Sequence, residues 1–332
     1  MAQYHGFVGI DIAAKSFTAA WSTGGEPCAK PITFAQNPAG FQQLQQQLST
    51  LDVAPAHMLV VLEATGSYWI SLAVSLHQAG YQVSVVNPMH IHNYAKSLPR
   101  RSKTDTLDAL VLLHFAMERQ PSIWTPPPTV YHELRQRLVA RDGLLEMRQQ
   151  ARNQQHALRQ WPVQIEAVKM HLEGVIADLN ARIMSLEREI GEVLKQQAWA
   201  QSAMFLQTIH SVGPLTTAWL LVSTLNFELC PSASAAVAYA GLAPVRRESG
   251  SSVRGHPHIG HSGHKRLRTA LYLATFNAVR FNPVIKAFYE RLRAAGKPAK
   301  VARCAAARKL LQIAYAVVTK RQAFVVPADR NG

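Results

Sequence analysis

The apolar positions of this chain change their period twice. Over the first hundred residues, short apolar runs alternate with helical spacing. Gly6-Phe7-Val8-Gly9-Ile10-Asp11 reads as a buried strand ending in an acid, and residues 17–21 and 31–34 read as two further strands. Residues 39–48 place Phe41, Leu44 and Leu48 on one face, which predicts a helix. His57-Met58-Leu59-Val60-Val61-Leu62-Glu63 is a second buried strand ending in an acid, followed by Ala64-Thr65-Gly66, a helix over 68–77 and a strand from Tyr81 through Asn87-Pro88. Three early strands and then strand–helix alternation predict an α/β domain, a mixed sheet flanked by helices.

Next comes Ser102-Lys103-Thr104-Asp105-Thr106-Leu107-Asp108-Ala109-Leu110. Leu107, Leu110, Val111 and Phe115 recur at helical spacing, so Asp105 and Asp108 share one helix face. Two adjacent carboxylates repel unless a cation lies between them. Mg²⁺ suits such a pair, because it takes one or two carboxylates and leaves room for phosphate oxygens. A first turn enriched in Asp by the helix dipole is the plainer alternative. Acids ending two apolar strands shift the balance, since carboxylates there are costly unless paired or metal-bound. The topology predicts that Asp11, Glu63, Asp105 and Asp108 share one cleft.

Beyond this point the period lengthens. Pro-Ser-Ile-Trp-Thr-Pro-Pro-Pro at 121–128 punctuates the chain, and two long helical stretches follow, broken near Trp161-Pro162. In the second, Ile165, Leu172, Leu179, Leu186 and Val193 repeat every seven residues, with Val168, Val175, Ile183 and Ile190 widening the seam. That pattern fits a coiled coil between subunits or a hairpin within one chain. The reading is therefore a catalytic α/β domain at 1–120, a linker and helical coiled-coil region at 121–200, and a mainly helical basic domain at 201–332.

Charge sharpens the picture at the far end. Residues 246–332 carry 18 Lys and Arg against three acids, so the whole net charge of +15 sits in the last quarter. A polyanion partner fits this polarity, nucleic acid first. No apolar run is long enough to span a bilayer, no signal peptide is evident, and three Cys without metal-ligand spacing read as free thiols. A cytoplasmic protein with no membrane partner is the expectation.

Two stretches in the basic region carry candidate chemistry. Ile209-His210-Ser211-Val212-Gly213-Pro214 resembles the hairpin of a helix-hairpin-helix motif with only one of its two usual glycines, and a plain helical corner competes with it. Gly241-Leu242-Ala243-Pro244-Val245-Arg246-Arg247-Glu248-Ser249-Gly250-Ser251-Ser252-Val253-Arg254-Gly255 is a polar loop in which three arginines surround several hydroxyls, an arrangement suited to phosphate. Lys265, Arg266 and Arg268 open the following helix and join Arg246, Arg247 and Arg254 as nucleic-acid-binding candidates. His256, His258, His261 and His264 match known zinc spacings poorly, and no zinc site is assigned.

The ordered set of acids looks like that of the RNase H/RuvC-like nucleases. With Gly9-Ile10-Asp11, Glu63-Ala64-Thr65-Gly66, Lys103 to Ala109, Gly241-Leu242-Ala243-Pro244 and Glu248 to Gly255, the chain resembles, nearly end to end, the DEDD transposases of bacterial insertion sequences related to the Piv invertases. The resemblance implies that Asp11, Glu63, Asp105 and Asp108 bind Mg²⁺ and that Ser249 is the nucleophile. It also implies double-stranded donor and target DNA as substrates, a structured non-coding bridge RNA as guide, and a homo-oligomer, dimer or tetramer. Ser249 and the acids fall on different domains separated by the helical region, so the expectation is that one subunit's serine meets another's acids. His261 stands where a Lys is common in that family. Two other readings compete: a junction-resolvase-like nuclease that activates water, and a non-catalytic nucleic-acid-binding regulator.

Overall fold

The computed structural model describes residues 4–24, 30–64, 66–98, 105–196, 198–245, 248–249, 253–254, 258–260 and 262–326; for Asp105, Val245, Glu248, Ser249, Val253, Arg254 and His258 it describes the backbone alone. Packing divides the chain into two compact units, Met1–Pro126 and Pro127–Gly332.

The first unit is built on a five-stranded sheet of β1 (Gly6–Ile12), β2 (Ser16–Ser22), β3 (Ile32–Ala35), β4 (Met58–Glu63) and β5 (Gln82–Val86), in the order β3-β2-β1-β4-β5. β1–β2 and β2–β3 are antiparallel, whereas β1–β4 and β4–β5 are parallel, so the sheet is mixed. The central strands are apolar on both faces because helices cover both. On one side, Phe41, Leu44 and Leu48 of α1 (Pro38–Ser49) and Leu72, Ala73 and Leu76 of α2 (Trp69–Gln78) pack with Val8, Ile10, Val60 and Leu62. On the other, α3 (Pro88–Ser97) and α4 (Asp105–Arg119) cover Leu59 and Val61. The sequence reading ran β5 straight into the acid-bearing helix and missed α3. Its start is marked by Asn87-Pro88: the Asn87 side chain accepts from the Met89 N–H at 2.9 Å, and Pro occupies the first helical position.

Contact between α4 and β1 is unusually close. A Cβ at Gly9 would overlap the backbone of α4, meeting Leu113 N and lying 2.5 Å from Ala109 O and 2.6 Å from Leu112 C. Further along α4, Ala116 and Met117 share clusters with Phe7, near the start of β1. The helix therefore runs back down the strand, and its first turn lies toward the strand's carboxyl end.

The second unit is helical. Its spine is α5 (Thr129–Leu158) and α6 (Glu166–Gln196), followed by α7 (Ala200–Gln207), α8 (Pro214–Thr224), α9 (Ala233–Tyr239), α10 (Lys265–Phe281), α11 (Pro283–Ala294) and α12 (Ala299–Lys320). Residues Thr217–Thr224 of α8 are buried on every side, as expected of a central helix that is apolar all round. Pairings of Arg137 with Glu189, Arg141 with Glu187, Arg148 with Asn180 and Gln155 with Glu173 descend in register, so α5 and α6 form an antiparallel hairpin within one chain. The heptad seam is thus partly filled internally: Leu179, Ile183, Ile190 and Leu194 are buried. Toward the hairpin tip it lies open, with Ile165 64% exposed and Val175 49% exposed. Asn282, fully buried between α10 and α11, caps α11 through Ile285 N–H and donates to His210 O, so both ends of its amide are satisfied.

At the start of α10, His264 Nδ1 accepts from the Leu267 N–H at 3.2 Å, and the ring stacks on Tyr239 with 5.8 Å between centroids. Burial pushes the His264 imidazole below its ordinary range, and the positive charges of Arg135 and Arg268 push the same way.

Two outcomes follow from these contacts. Gly9→Ala must displace backbone and should cost at least about 1–3 kcal/mol, whereas Gly174→Ala on α6, with open space around its Cβ, should be stabilising by about 0.5–1 kcal/mol. Urea unfolding of both variants checks this, and equal effects would contradict the packing at Gly9. Because the folded imidazole of His264 resists protonation, its contribution is intact above the unfolded value of 6.5 and is lost as pH falls below it. Thermal melts from pH 8 to 5 should therefore decline less steeply in His264→Asn, which keeps a capping acceptor, than in wild type.

Candidate functional site

Asp11 and Glu63 lie at the carboxyl ends of neighbouring parallel strands. Ile10 is the register partner of Leu62, and each acid is the next residue along its own strand. Both are partly exposed, at the edge where the apolar runs end. Strand alternation explains the placement: Ile10 and Leu62 point into the core on the α1–α2 side, so the residues that follow emerge on the other face. That is the face α4 covers, and the contact at Gly9 sets the depth at which it does so. Asp108, partly exposed, immediately precedes Ala109, whose carbonyl borders Gly9; Asp105 begins the same helix one turn earlier. The backbone thus brings all four positions to one end of the sheet. The Asp105 side chain is not among those described, and among the described residues no three His, Cys, Asp or Glu side chains form a metal-holding cluster. The oxygen donors themselves are of the kind that hard divalent cations take.

In the second unit, Ser249 lies on β7 (Glu248–Ser249), paired antiparallel with β8 (Val253–Arg254), Ser249 opposite Val253 and Glu248 opposite Arg254. β6 (Pro244–Val245) pairs with β9 (His258–Ile259). These two ladders form one excursion between α9 and α10. Arg246, Arg247, Ser251, Ser252, His256 and His261 lie outside the described residues.

Lys265, Arg266 and Arg268 occupy the first turn of α10, but two of the three have internal partners. Arg266 pairs with Asp142 of α5 at 2.9 Å and with Glu146 at 3.6 Å, and Asp142 also meets Arg141 at 3.4 Å. Arg268 Nη1 donates to Ser262 O at 3.0 Å and to Ala240 O at 3.3 Å. Nothing in the local sequence around 265–268 announces partners so far away along the chain. The carbonyl acceptors belong to the loop's two ends, and the Asp142 carboxylate belongs to a helix over a hundred residues upstream.

The 209–214 stretch is a corner between α7 and α8. Gly213 caps α8 with Pro214 at its first position, and Ser211, two residues earlier, adopts φ +82°. That is the left-handed conformation a glycine adopts without strain, so serine stands where the hairpin's other glycine is missing.

Comparison with known proteins gives the chain its relatives. Residues 8–160 match a transposase family model of the DEDD, IS110 type, and residues 203–290 match the transposase IS116/IS110/IS902 family. The pilin gene-inverting proteins of Moraxella bovis and Moraxella lacunata are each 32% identical over 96% of this chain and 97% of their own length. An uncharacterized 43.6 kDa protein of insertion element IS110 from Streptomyces coelicolor is 28% identical over 46% of this chain and 37% of its own. Two family matches along the chain, and similarity along nearly the full length of two relatives, lead to one statement: this chain belongs to the IS116/IS110/IS902 family of transposases.

Proposed function

We propose that this DNA transposase/recombinase cuts and rejoins donor and target DNA through a covalent phosphoserine intermediate on Ser249, with Asp11, Glu63, Asp105 and Asp108 as ligands of Mg²⁺. The observation that carries the reading is the pair of acids ending adjacent parallel strands beneath the helix that bears the other two. Sheet order and strand directions agree with an RNase H/RuvC-like domain. Bound Mg²⁺ would polarise the scissile phosphate and offset charge on the leaving oxygen.

The protein's own part is nucleophilic. Ser249 Oγ attacks phosphorus in line, an Oγ–P bond forms, the P–O3′ bond breaks, and the 3′ oxygen takes up a proton. The 5′ phosphate stays on serine. A 3′-hydroxyl from the exchanged strand then attacks that phosphorus, reseals the DNA and returns the proton to Ser249 Oγ. Bond energy is kept throughout, so no nucleotide triphosphate is consumed. Serine is a weak nucleophile near neutral pH and needs such activation.

Arg246, Arg247, Arg254 and Lys265 supply phosphate contacts in this reading, and the surplus of bases in residues 246–332 supports duplex DNA and a structured guide RNA as partners. The exposed apolar end of the α5–α6 seam supports assembly of several subunits. Among the described residues no helix is long and apolar enough to cross a membrane.

Labelled DNA incubated with protein and Mg²⁺ should give a protease-sensitive shifted band on a denaturing gel. Ser249→Ala should abolish the adduct and recombination, whereas Ser251→Ala and Ser252→Ala retain both. Asp11→Asn and Glu63→Gln should lower cleavage by about 10²-fold or more while DNA binding persists. Free cut ends without any adduct in wild type would make water the nucleophile.

A further inference from the structure

The loop holding Ser249 leaves and re-enters the second unit through one tight crossing. Gly241 (φ +68°) and Gly263 (φ +93°) face each other with no room between them. A Cβ at Gly263 would lie 2.5 Å from Gly241 N and 2.6 Å from Gly241 Cα, and one at Gly241 would overlap Ser262 O and Arg268 Nη1. Both residues adopt the left-handed conformation that side chains resist, so glycine is required twice over. The two strands of the crossing are also bonded. His264 N donates to Tyr239 O at 2.8 Å, which ties the exit of the loop to its entry. Arg268 Nη1 reaches a carbonyl on each side, Ala240 O before the loop and Ser262 O after it.

A long loop explores many arrangements, and in-line attack tolerates little misplacement. A fastening at the base removes much of that freedom before substrate arrives. Arg266 adds a second anchor, because its pairs with Asp142 and Glu146 hold the same first turn of α10 against the α5 helix. The Asp142 side chain is 13% exposed and that of Arg266 51%, so the carboxylate is shielded while the guanidinium reaches it from the surface.

We propose that Arg268 and the Gly241–Gly263 crossing form a clasp that sets the position of the Ser249 loop, making Arg268 a positioning residue for strand cleavage. The inference rests on Ser249 as nucleophile for its catalytic consequence, but the clasp itself is a property of the free protein.

Hydrogen exchange on the full chain tests it directly. In wild type, the amides of Leu242 and His264 should be protected to the level of the surrounding helices, and exchange at the rate of an open loop would overturn the clasp outright. Arg268→Met should speed exchange at Ser249, Val253 and Ile259 by about tenfold or more, through the loss of its two charge-assisted hydrogen bonds, with α8 and α12 unchanged. The same variant should slow adduct formation at saturating DNA while leaving the DNA concentration for half-saturation unchanged. Arg268→Lys, which keeps one donor, should restore part of the rate. If Arg268→Met weakens DNA binding with loop exchange unaltered, Arg268 is a phosphate ligand and the clasp is wrong. Should that variant fail to fold, the wild-type protection pattern still decides. Wild type that never forms an adduct would overturn the nucleophile reading alone, leaving the exchange result to judge the clasp.

Discussion

The absence of one methyl group at position 9 governs the first unit. Helix α4 can lie on β1 only because Gly9 leaves its backbone room beside Ala109, Leu112 and Leu113. That approach fixes the helix along the strand, and with it the height of Asp105 and Asp108 relative to Asp11. A larger residue would push the helix outward, and the acids on helix and strand would separate together. Apolar burial supplies most of the favourable energy of the unit, through Val8, Ile10, Val60 and Leu62 on one face and Leu59 and Val61 on the other. Burial is non-directional, however. Steric exclusion at a single glycine is what converts it into a defined helix position.

The second unit solves a similar problem with the same residue and different means. Its core is helical and centres on α8, which is buried all round. The segment that carries Ser249 is an excursion between α9 and α10, paired in the two short ladders β6–β9 and β7–β8. It is joined to the core at the glycine crossing, where charge-assisted hydrogen bonds add direction to close packing. Both units therefore place their candidate site positions by close backbone approach, and at each approach a side chain would be an obstruction.

Much of the fold was legible because its signals are local. Apolar runs of strand length bounded by turns located β1 to β5, and the acids that close the runs of β1 and β4 stood out against their surroundings. Helix α3 escapes the sequence pattern because Asn87-Pro88 suits the end of a strand as well as it suits an N-cap and a first helical residue. The heptads at 165–193 were legible as a seam, but sequence could not say what fills it. The descending register of Arg137–Glu189, Arg141–Glu187 and Arg148–Asn180 depends on α5 folding back, which no window of α6 contains. At the site, Ser249 and the four acids were nominated by pattern and resemblance, whereas the roles of Gly241, Gly263, Arg268 and Asp142 arise from contacts across long sequence separations.

The fate of the arginines shows why counting charge is a poor guide to contacts. All six candidate bases belong to the region that carries the surplus, and from composition they are equivalent. Structurally they are not. Arg266 already has two carboxylate partners, and a phosphate would have to displace them or share the guanidinium. Arg268 already bonds two carbonyls on one nitrogen, and a phosphate would have to compete with them or use the rest of the guanidinium. Lys265, exposed beside them with no ion pair among the described residues, has no such prior commitment. Long-range attraction to a polyanion depends on the sum of these charges, within the screening length of the surrounding salt. Short-range recognition depends on which donors remain once the fold has used its own. The fold commits Arg266 and Arg268 to internal partners, so the donors left for a nucleic acid are fewer than the charge count suggests.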